Sequence, residues 1–374
     1  MSSSSWKSSA LGELLNFRRG HDLPKTKMKE GPVPVVGSSG IIGFHNEFTT
    51  KNPCLTIGRS GNIGNPHILE EDCWAHNTTL YVDDFKGNEP KYLFYLLKTL
   101  GLSNYGGGSA VPTLNRNHIH PIVVRYTSSR DEQKNIAHVL STLDEKIEVN
   151  NQISKTLENM AQAIYKHWFV DFEFPDENGN PYKSSGGKMV ESEFWRIPEF
   201  WEIVSLETFV EIKYGKDHKK LAEGEYPVYG SGGIMRYVDK FLYNGESVLV
   251  PRKGTLNNVM YINESFWSVD TMFYTVMKKS NIAKFIYLFL NGIDLKSMNV
   301  GSAVPSMTTN ILNNMKIIKP PSRILEEFNS LISPIFQMIK HNKEENDTLV
   351  EIRDELLPKL LSGEIELRGI LDGR

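Results

Sequence analysis

Two arginines occupy matching turns in the two halves of the chain, each after a short apolar segment. Arg59 lies in GRSGNI (58–63) and Arg252 lies in PRKGTL (251–256). Their small polar neighbours are Ser60, Asn62 and Asn65 in the first turn and Lys253, Thr255, Asn257 and Asn258 in the second. Arginine can form two hydrogen bonds with the edge of guanine, asparagine can form two with the edge of adenine, and lysine binds phosphate as a point charge. The pattern indicates DNA recognition, with a solvated or ion-paired arginine as the alternative.

Two further kinds of segment extend this set of candidate DNA contacts. Gly/Ser turns occur in VPVVGSSGII (33–42) and YPVYGSGGIM (226–235), and basic loops occur in RRGHDLPKTK (18–27) and YGKDHKK (214–220). The basic loops suit contacts to phosphate better than base reading. The candidates are Ser38, Ser39, Arg59, Asn62, Lys219, Lys220, Tyr229, Ser231, Arg252, Lys253, Asn257 and Asn258.

Motifs for catalysis are missing from the sequence. SSGGKMV (184–190) lacks the first glycine and the hydroxyl residue of a phosphate-binding loop, and no dinucleotide fingerprint is present. The Asn/Asp-Pro-Pro-aromatic tetrapeptide of amino-methyltransferases is also missing. The ten histidines show no metal-ligand spacing. We therefore predict a protein with no catalytic residue, no metal site and no cofactor.

Composition limits the class of protein further. The 374 residues, 40% of them hydrophobic, suffice for two cores, and a net charge of −3 argues against a chain that coats DNA indiscriminately. No apolar run approaches the about 18–20 residues of a membrane span, and the polar start MSSSSWKSSAL is not a secretory signal, so we expect a cytoplasmic protein. Cys54 and Cys73 are expected to be packed thiols without a disulfide.

The chain contains an internal duplication. GSAVP at 108–112 returns at 301–305, an offset of 193 residues, and Trp74 aligns with Trp267 at the same offset. Trp6 aligns with Trp201 at an offset of 195. Two copies of so long a period indicate a pseudo-dimer within one chain, because solenoid repeats are about 20–50 residues long.

Each half is expected to be an α/β (α+β) globule followed by a long helix. From Ile136 and from Phe328, seam residues recur at alternating steps of four and three, which is a heptad pattern. The predicted seam consists of Ile136, Leu140, Leu143, Ile147, Asn150, Leu157, Ile164, Ile332, Ile335, Ile339, Asn342, Leu349 and Leu356. Neither helix can bury this stripe alone. We therefore predict two similar globules separated by two long helices that form an antiparallel coiled coil, with internal pseudo-two-fold symmetry.

Asn150 and Asn342 are polar residues near the middle of the predicted seam. One interpretation places them at the exposed edge of the seam, and the other makes them a buried polar pair that fixes the register. On the second interpretation, replacing both with leucine raises thermal stability and loosens register or oligomeric state.

The order of these features resembles that of the specificity subunit of type I restriction-modification systems. The resemblance covers nearly the whole chain and rests on the two GSAVP segments, the helix after each, YKHWFVDFEFP (165–175) and LLPKLLSGEI (356–365). It implies two target-recognition domains that each read one half of a bipartite double-stranded DNA site, with the helices as a ruler between them. Two methyltransferase subunits are implied as partners, with restriction subunits as further partners. Base-contacting residues vary within this family, so the contacts named above rest on their chemistry alone.

The resemblance divides the chain into six parts. These are target-recognition domain 1 (1–128), a central spacer helix (129–170), a linker (171–194), target-recognition domain 2 (195–321), a C-terminal spacer helix (322–363) and a tail (364–374). A duplicated coiled-coil adaptor that binds proteins is the competing class, and the polar arginine and asparagine turns favour DNA over it. An enzyme with unrecognised active residues is disfavoured by the missing motifs.

Overall fold

The computed structural model describes residues 5–107, 112–298, 306–365 and 367. The chain forms two compact units, unit 1 from Met1–Asn151 with Lys343–Arg374 and unit 2 from Gln152–Asn342. Both boundaries between the units fall inside long helices, so each unit contains one globule and part of both helices. Of the two GSAVP segments, only Pro112 lies within the described residues.

Unit 1 is a mixed α/β globule. Its strands are β1 (Trp6–Ala10), β2 (Asn16–Arg19), β3 (Val33–Gly37), β4 (Gly40–His45), β5 (Cys54–Gly58), β6 (Pro66–Leu69), β7 (Trp74–Ala75), β8 (Thr79–Asp84) and β9 (Val123–Thr127). Its helices are α1 (Leu11–Leu14), α2 (Pro90–Thr99), α3 (Arg116–Ile119), the first part of α4 (Arg130–Phe169) and the last part of α7 (Ser322–Ser362). The strands form the sheets β2-β8-β5-β6 and β4-β3-β7 and the pair β1-β9. Helix α2 begins at Pro90, and proline suits this position because the first N–H groups of a helix have no partner within the helix. The helix packs Tyr92 and Leu93 into the core.

Unit 2 repeats this plan with longer strands. Its strands are β10 (Met189–Val190), β11 (Ile197–Pro198), β12 (Glu202–Ser205), β13 (Val210–Tyr214), β14 (Tyr226–Gly230), β15 (Gly233–Val238), β16 (Tyr243–Pro251), β17 (Met260–Ser268), β18 (Met272–Met277) and β19 (Lys316–Lys319). Its helices are the second part of α4, α5 (Ala283–Asn291), α6 (Thr309–Asn313) and the first part of α7 (Ser322–Ser362). The main sheet has the order β13-β18-β16-β17-β14-β15, and β12-β19 and β10-β11 form separate pairs.

The duplication is visible in the register of the strands. The β3–β4 and β14–β15 hairpins each carry a bulge at the same place in their second strand, where Ile42 and Met235 are left out of the pairing. Gly40 and Gly233 open the second strand of each hairpin with φ of 103° and 111°, a conformation that favours glycine. Trp74 and Trp267 pair in parallel with the first strand of their hairpins. The sequence offset of 193 therefore corresponds to one backbone plan that is used twice.

The long helices pair antiparallel within unit 1. An Nη1 atom of Arg353 on α7 donates to Oδ1 of Asp144 on α4 at 2.7 Å. Further along α4, Nδ2 of Asn150 donates to Oε2 of Glu345 at 2.7 Å and to Oδ1 of Asn346 at 2.9 Å. Residue numbers fall along α7 as they rise along α4, which defines an antiparallel pair.

Unit 2 contains the other halves of the same two helices, which are also antiparallel. Nδ2 of Asn342 donates to Oγ of Ser154 at 3.2 Å. Towards the globule, the ring of Phe328 lies 5.6 Å from that of Trp168 and 4.7 Å from that of Phe169, measured between centroids. These aromatic contacts join the helices to the main core of unit 2.

The predicted seam residues face inward. Every one of them is buried or half-buried, whereas Val149, Ile153 and Met160, which are apolar but off the seam, are exposed. Asn150 and Asn342 are 1% and 8% exposed. The structure therefore favours the buried interpretation of the two asparagines over the exposed-edge one, and each of them binds the opposite helix within its own unit.

We expect the two seam asparagines to respond differently to leucine. Asn342→Leu removes one long hydrogen bond and adds apolar area, so it should stabilise the protein by about 1 kcal/mol. Asn150→Leu removes the donor for two shorter bonds and should destabilise by about 1 kcal/mol. Thermal unfolding of each variant, with the exposed Lys155→Leu as control, measures the difference. Equal shifts in the two variants would contradict the expectation, and any gain in the double variant should come from Asn342.

The segment 171–194 was expected to be a linker, but it contributes to the core of unit 2. Phe172 and Phe174 are 5% and 4% exposed, and Phe174 stacks on Trp201 with centroids 4.7 Å apart. The segment also contains a turn, in which Gly179 has φ 81° and its N–H donates to the carbonyl O of Asp176 at 3.1 Å. The polar composition of the segment predicts a loop. Burial of its two phenylalanines in the core of unit 2 is enough to hold the segment against the globule.

Cys54 and Cys73 form a disulfide, so the expectation of two unbonded thiols is wrong. Both are fully buried, and their Cα atoms are 6.4 Å apart. Cys54 opens β5, and Cys73 pairs through its backbone with Thr50 shortly before that strand. The two cysteines are 19 residues apart in the sequence and meet because the chain folds back. Their spacing in the sequence does not show that they are close in space.

Candidate nucleic-acid interface

Arg59 is held on a loop that follows β5. Its N–H donates to the carbonyl O of Thr78 at 2.8 Å, and its own carbonyl O accepts from the N–H of Leu114 at 2.8 Å. Gly61 has φ 86°, so the loop turns sharply at a position that suits glycine. The side chain is half-buried, and its Nη1 donates to the carbonyl O of Asn77 at 3.4 Å. The backbone of Arg59 is thus fixed on both sides while its guanidinium stays accessible.

A second guanidinium lies near Arg59. Burial, and after it the charge of Arg19 at the end of β2, lower the pKa of Arg59 from its ordinary value. An arginine remains a cation in proteins despite such a shift. Within the described residues, neither Arg19 nor Arg59 has an ion pair with a carboxylate. Two neighbouring cations without a carboxylate favour an anion such as a phosphate oxygen.

Arg252 is held in the same way in unit 2. Its N–H donates to the carbonyl O of Thr271 at 2.8 Å, and its carbonyl O accepts from the N–H of Met307 at 3.0 Å. Nη1 reaches the carbonyl O of Asp270 at 3.5 Å, and the guanidinium lies 5.4 Å from the ring centroid of Tyr214. This distance is within the range of a cation–π interaction.

The neighbours of the two arginines differ although their loops match. Arg19 and Tyr214 stand at corresponding positions, at the offset of 195 that also aligns Gly20 with Gly215. In unit 1 this position adds a second positive charge, and in unit 2 it adds an aromatic face. The two loops therefore share a backbone and present different chemistry.

The tip of each hairpin touches the arginine loop. A β-carbon on Gly61 would lie 3.1 Å from Oγ of Ser38, and one on Gly254 would lie 2.7 Å from Oγ of Ser231. Nδ2 of Asn258 donates to the carbonyl O of Ser231 at 2.8 Å. We call the surface made by the hairpin tip and the arginine loop the arginine face. It comprises residues 37–40 and 59–62 in unit 1 and residues 230–233 and 252–258 in unit 2.

Most of the candidate DNA contacts lie at the surface. Ser39, Asn62, Lys219, Lys220, Lys253 and Asn257 are exposed, and Ser38, Arg59, Ser231, Arg252 and Asn258 are half-buried. Tyr229 is 3% exposed, packs near Phe266 and donates its O–H to Oε1 of Glu264 at 2.6 Å. The structure thus places Tyr229 in the core of the sheet, which argues against a DNA contact.

The amide of Asn257 is engaged within the protein. Its Nδ2 donates to Oδ1 of Asp294 at 2.8 Å, and its Oδ1 accepts from the N–H of Lys296 at 2.9 Å. The hydrogen bond from Asn257 lowers the pKa of Asp294 from its ordinary value. Asn257 therefore fixes the loop around 294–296, and it cannot offer both amide atoms to a base without releasing it.

Sequence reasoning did not single out Arg19 or Tyr214. Both fall in or beside basic segments that were expected to contact phosphate, and the alignment of Gly20 with Gly215 marks them as equivalent. Their closeness to the arginines arises from strand order, because β8 lies between β2 and β5 and β18 lies between β13 and β16. Sequence alone does not supply that order.

Other candidate sites are few in the part of the chain that the structure describes. No group of three or more His, Cys, Asp or Glu residues there could hold a metal ion. None of the helices in the same ranges combines the length and the apolar character of a membrane span. Unit 2 has a cavity of about 520 Å³ whose lining includes Phe169, Trp195 and Phe289 but none of the candidate DNA contacts. The two arginine faces are therefore the candidate functional sites.

A duplicated α/β fold with one matched cationic face on each copy defines a binding protein with two related sites. Comparison with known proteins identifies the family. The family model for the type I restriction modification DNA specificity domain matches residues 3–159 and 198–350. The chain therefore belongs to the type I restriction-modification DNA specificity family, whose members are DNA-recognition components that are not catalytic.

Individual relatives are similar along most of the chain. It is 27% identical to the type I restriction enzyme MjaIX specificity subunit of Methanocaldococcus jannaschii, over 94% of this chain and 91% of that protein. It is 24% identical to the type I restriction enzyme HindI specificity subunit of Haemophilus influenzae, over 74% of this chain and 77% of that protein. The crystal structure of a type I restriction-modification system S subunit from M. genitalium shares the fold, with a TM-score of 0.63, 18% identity and coverage of 96% and 97% of the two chains. The family and the fold class predicted from the sequence are confirmed.

Proposed function

We propose that each unit reads one half of a bipartite double-stranded DNA site. In this proposal the globules within 1–128 and 195–321 are the two target-recognition domains, and the long helices set the distance between the half-sites. Two methyltransferase subunits dock on the chain, and restriction subunits join the assembled complex.

The observation that carries this proposal is the pair of arginine loops with one backbone and different neighbours. Arg59 and Arg252 have equivalent hydrogen bonds on both sides, but Arg19 stands by the first and Tyr214 by the second. A repeated frame with changed surface residues suits two half-sites of different sequence, because loops on a rigid scaffold carry recognition. A chain with unlike halves can read a site that is not palindromic.

The chemistry of the two faces suits base reading with phosphate contacts around it. The half-buried guanidinium groups of Arg59 and Arg252 can each form two hydrogen bonds with a guanine edge in the major groove. Asn62 is exposed on the same loop as Arg59. Lys219 and Lys220 are exposed in the loop between β13 and β14, where they can bind phosphate and set the register of the domain on the duplex.

The helices suit the role of a spacer. Helices α4 and α7 contain 40 and 41 residues, which corresponds to about 60 Å at about 1.5 Å per residue. Major-groove half-sites on one face of B-DNA lie about 34–36 Å apart per turn. We propose that the length of the helix pair sets the spacing between the two half-sites.

The methyltransferase partners are required for chemistry and for affinity. The sequence has no methyl-transfer motif, and its net charge is −3. The isolated chain should therefore bind DNA weakly and in a salt-dependent way, with the partners supplying part of the phosphate neutralisation.

The experiment that tests the proposal is methylation mapping. The chain is co-expressed with a methyltransferase subunit of the same system, in a host without adenine methylation, and methylated adenines are mapped across the genome. We expect a split motif with an unspecified gap of about 5–8 base pairs, the range that a one-turn spacer allows. A continuous motif, or a stable complex without methylation or specific DNA binding, would favour a protein scaffold instead.

A further inference from the structure

Both hairpins expose large apolar side chains at the same four positions. We call these residues the apolar stripe. It consists of Ile41, Ile42, Phe44 and Phe48 in unit 1 and of Ile234, Met235, Tyr237 and Phe241 in unit 2. Their exposed fractions lie between 38% and 59%. Each stripe residue of unit 1 lies 193 positions before its counterpart in unit 2. Exposure of the same stripe in two diverged copies indicates a surface with a common role.

The stripe lies mainly on strands that proteins usually protect. β4 and β15 are the edge strands of their sheets. An exposed apolar edge strand invites aggregation, and proteins normally place charges or proline there. Gly37 and Gly230 make room for the stripe at the hairpin tip, since a β-carbon there would lie 2.8 Å from Ile42 and 2.5 Å from Met235. An apolar edge that is accommodated in both copies is typical of a binding surface.

Exposed lysines flank the stripe in both units. In unit 1 they are Lys25, Lys27 and Lys29, and in unit 2 they are Lys216, Lys219 and Lys220. The N–H of Lys29 donates to Nδ1 of His45 at the end of β4 at 3.0 Å, and Nη2 of Arg236 on β15 donates to the carbonyl O of Leu221 at 2.8 Å. The lysine loops are thus fastened to the stripe strands. In the described ranges, the side-chain ammonium groups of these six lysines form no ion pair with a carboxylate.

We propose that each hairpin enters the major groove of its half-site and that the apolar stripe contacts the bases. This inference rests on the proposed function and names the element that enters the DNA. A two-stranded β-ribbon fits the major groove, whose floor offers thymine methyl groups to apolar side chains while its walls are phosphates. The arginine face at the hairpin tip continues into the stripe, and the unpaired lysines beside it match the phosphate walls. A strand pair with this charge pattern fits DNA better than it fits a neutral protein surface.

The test compares threonine variants of the stripe, because threonine is itself β-branched and has a high strand propensity while it removes apolar surface. The variants are Ile41→Thr with Ile42→Thr in unit 1 and Ile234→Thr with Met235→Thr in unit 2. Val123→Thr is the matched control, since Val123 is 72% exposed on β9. Each full chain is assembled with the methyltransferase subunit, and its binding to a duplex with the mapped site is measured between 50 and 200 mM salt.

We expect each stripe variant to lose about tenfold or more in affinity and to relax the methylated motif in one half only. The slope of log affinity against log salt should not change, because no phosphate contact is lost. By contrast, Lys219→Ala with Lys220→Ala should lower that slope by up to about 2. Unchanged affinity and motif in the stripe variants would overturn the inference. Loss of the methyltransferase subunit from these variants without DNA would also overturn it and assign the stripe to a protein partner. Failure of the unmodified complex to bind specific DNA would overturn the proposed function itself.

Discussion

Arg252→Ala is expected to weaken recognition of one half of the DNA site by about 10- to 100-fold and to leave the sequence preference at the other half intact. A bidentate arginine contact to guanine contributes about 1–3 kcal/mol of discrimination. The loop that carries Arg252 belongs to unit 2 and is fixed by bonds to Thr271 and Met307, so the loss of the side chain should stay local. Methylation mapping, together with binding to duplexes in which one half-site is scrambled, measures the effect.

Arg59→Ala is the matched variant and should affect the opposite half of the site. Arg252→Lys distinguishes a base contact from a phosphate contact, because lysine keeps the charge but cannot form the paired hydrogen bonds of arginine with a base. A relaxed motif with retained affinity in Arg252→Lys would indicate base reading, and full recovery would indicate a phosphate contact. Equal loss at both halves in Arg252→Ala would contradict a reading role and would point to folding or assembly.

Phe328→Ala is expected to destabilise unit 2 by about 3–5 kcal/mol, as is typical of a buried phenylalanine truncated to alanine. Phe328 is 1% exposed, and its ring contacts those of Tyr165, Trp168 and Phe169. These contacts join α7 to α4 beside the globule of unit 2. Hydrogen exchange, resolved by peptide, should show faster exchange in unit 2 and little change in the globule of unit 1.

Leu331→Ala is the control for this prediction. Leu331 lies three residues further along the same helix and is 47% exposed, so its truncation should change stability by at most about 0.5 kcal/mol. A similar effect in the two variants would contradict the assignment of Phe328 to the core. Equal loss of protection in both globules would show that the two units unfold together.

Proline in α7 shows where local rules are overridden. A proline inside a helix removes one hydrogen bond and disfavours the preceding turn. The helix nevertheless runs from Ser322 to Ser362 through Pro334 and Pro358. Buried or half-buried apolar residues lie on both sides of each proline, Ile332 and Ile335 around Pro334 and Leu356 and Leu360 around Pro358. Their removal from water supplies the compensation.

For the candidate DNA contacts, some properties could be predicted from the sequence and others could not. The chemistry of Arg59 and Arg252 and their equivalence could be predicted, since both follow from residue type and from the repeat. The burial of Tyr229 could not, because it depends on the position of β14 between β17 and β15, where Pro227–Gly230 are all buried. The engagement of Asn257 with Asp294 also depends on a loop that is distant in the chain.

The sequence by itself determined the duplication, the α/β character of each half, the two long helices and the family. These follow from periodicity and from similarity between segments at a fixed offset, which local interactions and a repeated pattern are enough to specify. The tertiary structure alone decided the pairing of Cys54 with Cys73, the approach of Arg19 to Arg59 and the exposure of the apolar stripe. Each of these depends on which strands become neighbours, and strand order is set by the packing of the whole core rather than by any one segment.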